Sequence, residues 1–106
     1  PDEKLTIHQL HQEAFQGIRP AVGYPSLPDL SINFLLDEVL NMKQIGVCLT
    51  ENGMMHPHAS VCGFMFAHPA SHYFSVGKID EEQLADYAKR RNLPTSLMKK
   101  FLIANL

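Results

Sequence analysis

The chain has 106 residues, 45% of them hydrophobic, with nine basic and eleven acidic side chains for a formal charge of −2. That length fits one domain with one modest core, burying about 60–70% of the unfolded surface. The charge balance argues against a nucleic-acid binder that works by neutralising phosphates, and no apolar run approaches the roughly 20 residues of a membrane helix.

No signal peptide, internal repeat, low-complexity tract or linker is visible, so a single domain over 1–106 is expected. Pro1 is not a start methionine, which fits a processed chain or a piece of something longer. Cys48 and Cys62 both sit in apolar stretches. They read as free, buried thiols in a reducing, cytoplasmic compartment; a disulfide between them stays open at this point.

In chain order, residues 2–16 read as a helix. Leu5, Leu10, Ala14 and Phe15 form an apolar stripe, Asp2 and Glu3 sit at the favourable N-terminal end, and Gly17 stands where a C-cap glycine belongs. His8 and His11 lie three apart and can share a face, but with no third ligand evident they read as a solvated pair.

Gly17 to Asp29, Gly-Ile-Arg-Pro-Ala-Val-Gly-Tyr-Pro-Ser-Leu-Pro-Asp, fits neither helix nor regular strand. Each of its three prolines fixes φ near −65° and removes a donor. Arg19, Tyr24 and Leu27 each precede a proline and are biased toward extended conformations. Gly23 permits a positive φ or a close backbone approach. A loop this stiff loses little entropy on ordering and can hold Arg19 and Tyr24 ready for a ligand. The guanidinium suits a carboxylate or phosphate, and the phenol face suits a cation or a flat ring. The alternative is a structural loop whose arginine caps a helix end.

Ser31 is the expected N-cap of a second helix to about Ile45, with Ile32, Leu35, Leu36, Val39, Leu40 and Met42 at helical spacing and Gly46 as its stop. Val47 to Thr50 reads as a short strand and Asn52-Gly53 as a turn. His56 and His58 fall on one side if extended, a weak metal signal beside the reading of a loop near a polar cleft. Ala59 to Ala67 reads as a buried strand. His68 to Ser71 then turns the chain into Tyr73 to Ile79, a second strand antiparallel to the first. Asp80 and Gln83 form a capping-box pattern for a helix with Leu84, Tyr87 and Ala88 inside. Lys89, Arg90 and Arg91 read as a solvated last turn ended by Asn92. A last helix from Pro94-Thr95 packs through Leu97, Met98, Phe101 and Leu102. The fold class is α+β: an antiparallel sheet flanked by helices.

Gly-Ile-Arg-Pro-Ala-Val-Gly-Tyr-Pro at 17–25 resembles the S-adenosylmethionine-binding signature of the activation domain of cobalamin-dependent methionine synthase. The likeness continues through Pro28-Asp29, Leu49-Thr50-Glu51, residues 59–63, His68-Pro69, residues 71–79 and residues 83–88, in the family's order and nearly its spacing. The resemblance implies a curved α+β fold with a twisted antiparallel sheet. It implies S-adenosylmethionine and a cobalamin bound by a partner domain as cofactors. In that family the parent methyltransferase carries a methyl group on cobalamin to homocysteine. When the cobalt is oxidised, the activation domain offers S-adenosylmethionine while flavodoxin or a flavin reductase supplies an electron for reductive methylation. The chain would be part of such an enzyme and not a complete one.

Residue by residue, the resemblance gives Arg19 the ligand carboxylate, gives the backbone of Pro20 and Ala21 the same pocket, and matches Gly23 and Tyr24 to the signature pair. Tyr73 matches a ligand-contacting tyrosine. Glu13 matches an acidic position that meets the ligand's ammonium or orients Arg19, against the reading of an exposed helix glutamate. Residues 30–33, Leu-Ser-Ile-Asn, and 52–57, Asn-Gly-Met-Met-His-Pro, depart from the family pattern. The family's domain also extends upstream of residue 1, where it supplies an acidic residue for the ligand's amine, so a C-terminal portion is expected. Two further readings stand beside this one. One is an interaction module that caps a corrinoid-binding domain without binding S-adenosylmethionine, favoured by the altered segments. The other is a free-standing metalloenzyme using His56, His58 and another histidine, which has little support.

Overall fold

The computed structural model of the chain describes residues 4–12 and 15–106. Helix α1 spans Ile7–His11, α2 Ile32–Leu40, α3 Glu81–Arg90 and α4 Thr95–Phe101; strands β1 (Cys48–Leu49) and β2 (Met55–His56) form an antiparallel pair. The α+β class expected from the sequence is therefore the one observed.

The core is a helical corner. Leu84 and Ala88 of α3 meet Met98, Phe101 and Leu102 at α4, all at most 6% exposed, with Leu30, Ile79, Tyr87 and Leu93 packed around them. The turn between the two helices follows from Asn92, whose φ of 56° ends α3, and Leu93 N–H then bonds back to the Ala88 carbonyl at 2.9 Å. Left-handed residues at this position satisfy the last carbonyls of a helix. Asp80 caps the other end, with its carboxylate on Gln83 N–H at 2.8 Å and the Gln83 side chain on Asp80 N–H at 3.0 Å. Phe34 packs edge-to-face on Phe101 at 6.1 Å and ties α2 to this corner.

The body is flat, 45 × 35 × 20 Å, and its radius of gyration of 15.7 Å exceeds the roughly 13 Å of a compact chain this long. Much apolar surface consequently stays outside.

Several expectations are corrected by the coordinates. The first helix is shorter than 2–16: Thr6 and Gln9 cap it and it ends at Gln12, with Leu10 44% exposed. Asp2, Glu3 and Ala14 lie outside the described residues. The second helix stops at Asn41 (φ 51°) and continues only as a 3₁₀ turn, Met42–Ile45, ended by Gly46.

The segment 59–67 is neither buried nor paired with 73–79. It runs antiparallel to 18–22 through bridges Ile18–Phe66 and Ala21–Gly63, and Val61 and Met65 are 76% and 79% exposed. The flat body puts no second layer over it. Residues 73–79 form no regular strand and bond the 24–26 turn and the C-terminus: Val76 N–H bonds Pro25 O and Ile79 N–H bonds Asn105 O.

Cys48 is exposed and Cys62 half-buried, both as free thiols, and burial pushes the Cys62 thiol above its ordinary range. Leu97 is exposed as well. Arg91 is not solvated; it is half-buried against Asp29.

Candidate functional site

The stiff segment 17–29 folds as two successive turns. Tyr24 N–H bonds the Ala21 carbonyl at 3.3 Å, and Leu27 N–H bonds the Tyr24 carbonyl at 2.8 Å. Gly23 is the third residue of the first turn, with φ +93°, a conformation that L side chains rarely adopt. Pro25 is the second residue of the second turn, where its fixed φ fits. Successive turns leave Arg19 and Tyr24 projecting from one short stretch, both exposed.

Residues 73–76 lie against this loop. The Tyr73 hydroxyl accepts Arg19 N–H at 2.8 Å. Ser26 grips the Phe74 backbone twice: its hydroxyl donates to the Phe74 carbonyl and accepts Phe74 N–H at 3.0 Å. Between the two runs opens a cleft of about 410 Å³ lined by Arg19, Pro20, Ala21, Tyr24, Pro25, Ser26, Val61, Tyr73 and Phe74. A second groove of about 580 Å³ adjoins it; Arg19 and Tyr73 belong to both, and Leu10, Phe15, Met65 and Phe66 help to form it.

Among the described residues, Arg19 is the only charged side chain on the cleft lining. The ion pairs among the described residues are Arg90–Asp86 and Arg91–Asp29, so none of them engages the Arg19 guanidinium. A cation on the lining of a mostly apolar, aromatic-walled cleft can receive an anionic group while a flat ring lies along the walls.

Of the residues expected at the site, the structure brings Arg19, Pro20, Ala21, Tyr24 and Tyr73 together on one lining. Gly23 is not on it. It shapes the turn, and a Cβ there would come to 2.9 Å from Leu30 Cδ2. Glu13 lies outside the described residues. Pro25, Ser26, Val61 and Phe74 line the cleft as well, beyond the residues expected there. All four fall inside the matched blocks, but their proximity depends on 59–67 and 73–76 crossing the loop, which no local pattern encodes. His56 and His58 meet edge-to-face at 6.1 Å, and among the described residues no three His, Cys, Asp or Glu side chains group as a metal site. No helix among them is long and apolar enough to cross a membrane.

A family model described as vitamin B12 dependent methionine synthase, activation domain, matches residues 1–92. Among solved structures, the crystal structure of the MetH reactivation domain bound to AdoHcy superposes with a TM-score of 0.88 at 40% identity, covering 100% of this chain and 33% of that one. The chain thus spans about a third of the length of that relative.

Proposed function

The chain belongs to the activation-domain family of vitamin B12 dependent methionine synthase, and from that premise we propose that it binds S-adenosylmethionine in the Arg19–Tyr73 cleft and supports reductive methylation of a cobalamin held by a partner domain. The observation that carries this reading is the Arg19 guanidinium, in no ion pair among the described residues, on the lining of a cleft that Tyr24, Tyr73 and Phe74 also form. The relative with 40% identity was crystallised with AdoHcy, which is what S-adenosylmethionine becomes when its methyl group leaves.

In this reading Arg19 takes the methionyl carboxylate through two parallel hydrogen bonds. The backbone of Pro20 and Ala21 lines the floor, and Tyr24 and Phe74 offer faces for the flat base. The Tyr73 hydroxyl, which already accepts Arg19 N–H, fixes the start of the loop against the far wall. Cobalamin on the partner domain supplies the methyl-accepting centre, with flavodoxin or a flavin reductase in the cytoplasm as the electron source. This chain's part is to bind, orient and shield the sulfonium, and orientation of this kind is worth about 7–11 kcal/mol in favourable cases.

Isothermal titration calorimetry with S-adenosylmethionine tests the proposal, alone and with a corrinoid protein added. Saturable one-to-one binding is expected. Absence of heat under both conditions, with ligand-independent capture of the corrinoid protein, would instead support a capping module.

A further inference from the structure

Asp29 ends the stiff segment and is 3% exposed. Both of its oxygens are engaged. Oδ1 accepts Ser31 N–H at 2.8 Å, and Oδ2 accepts the Tyr87 hydroxyl and Arg91 Nη1, each at 2.5 Å. Arg91 Nη1 also donates to Ser31 Oγ at 2.8 Å. Ser31 has no side-chain capping bond to α2; its hydroxyl serves this cluster.

These contacts close a ring. Arg91 is the C-cap of α3, and α3 follows directly on the run that carries Tyr73 and Phe74. That run holds the front of the loop through Arg19–Tyr73, Ser26–Phe74 and Pro25–Val76 hydrogen bonds. The back of the same loop is held by Asp29 on Arg91. Tyr24 lies between the Arg19 and Pro25 attachments; only Leu27 and Pro28 separate Ser26 from Asp29, and Leu27 bonds back to both Gly23 and Tyr24. A buried ion pair contributes little net stability compared with apolar packing of the same volume, but its hydrogen bonds fix one geometry.

We propose that Arg91, together with Tyr87, is a positioning residue for the cleft: by gripping Asp29 it sets where Arg19 and Tyr24 stand relative to Tyr73 and Phe74. The inference rests on the cleft being the S-adenosylmethionine site. The shared Oδ2 gives the pair its directionality, because Tyr87 and Arg91 approach one oxygen from successive turns of the same helix. Lysine in place of Arg91 keeps the charge and an N–H donor group without the planar fork, whereas methionine keeps only the stem.

The test uses the 106-residue chain with S-adenosylhomocysteine as probe. Arg91→Met is expected to weaken binding about tenfold and Arg91→Lys to stay within about threefold of the parent. Leu102→Ala, which opens the α3–α4 core away from the cleft, is expected to lower Tm while leaving the affinity unchanged. A folded Arg91→Met chain with the parent's affinity overturns the proposal, as does an equal loss in Leu102→Ala. Should Arg91→Met fail to fold, Tyr87→Phe carries the test, with a weakening of about threefold expected and an unchanged affinity overturning it. If the parent chain binds no ligand, the proposed function fails but the positioning claim is still read from amide NMR of the free chain. Shifts at Gly23 and Tyr24 in Arg91→Met support it, and shifts confined to residues 29–33 and 87–93 overturn it.

Discussion

The Tyr73 hydroxyl accepts the backbone N–H of Arg19 at 2.8 Å across 54 residues of sequence. Tyr73 is thereby both a wall of the cleft and the strut that holds the anion-binding residue. Tyr73→Phe keeps the ring and removes only the acceptor, leaving Arg19 N–H to solvent. It is expected to weaken S-adenosylhomocysteine binding about fivefold, measured by calorimetry, with little change in Tm because the bond is exposed.

Arg19→Lys separates charge from geometry. Lysine retains the positive charge but cannot present two parallel donors to a carboxylate. A loss of about tenfold in affinity is expected, and added salt should weaken the variant more steeply than the parent. Equal affinities would mean that the guanidinium does not hold the carboxylate as a fork.

Asn33 is 1% exposed; its Nδ2 donates to Gly53 O at 2.7 Å, and its Oδ1 accepts no bond among the described residues. Asn33→Asp sets an oxygen against the Gly53 carbonyl and brings in a buried charge. Urea denaturation at pH 7 is expected to show a loss of about 3 kcal/mol.

Desolvation, followed by the hydrogen bond to the Asp29 carboxylate, pushes the Tyr87 phenol above its ordinary value, about 10. With the folded-state pKa raised, the native chain holds its proton where the unfolded chain gives it up. The contribution is therefore complete below pH 10 and is lost as the pH rises through the folded-state value. Denaturation midpoints from pH 8 to 11 should fall at the alkaline end. Tyr87→Phe should fall less over that range, the remainder including the Cys62 thiol, also raised by burial.

Gly63 faces the Pro20 carbonyl, and a Cβ on it would lie 2.9 Å from Ala21 Cα. Gly63→Ala is expected to destabilise the chain by about 1–3 kcal/mol, read by thermal unfolding, because backbone sits where the methyl must go.

What was legible in the sequence was local. The Asp80–Gln83 capping box, the Asn92 stop and the proline-set loop all formed where residue chemistry demands them, whereas the second helix stopped at Asn41, ahead of the expected Gly46. The matched blocks also brought five of the seven expected site residues to one lining. Pairing of extended segments was not legible. Residues 59–67 and 73–79 are adjacent in sequence with a turn between them, yet each bonds a different part of the 17–29 loop. The proline-rich loop offers acceptors such as Pro20 O and Pro25 O that alternation patterns do not register. Arg91 likewise looked like the end of a solvated basic run, because its partner Asp29 lies 62 residues away.

The most direct test of the central claim is a ¹H–¹⁵N NMR titration of the chain with S-adenosylhomocysteine. Saturable shifts concentrated at Arg19, Ala21, Tyr24, Tyr73 and Phe74, and lost in Arg19→Ala, are the predicted result. Absence of shifts, or shifts that cluster away from this cleft and persist in Arg19→Ala, would contradict it.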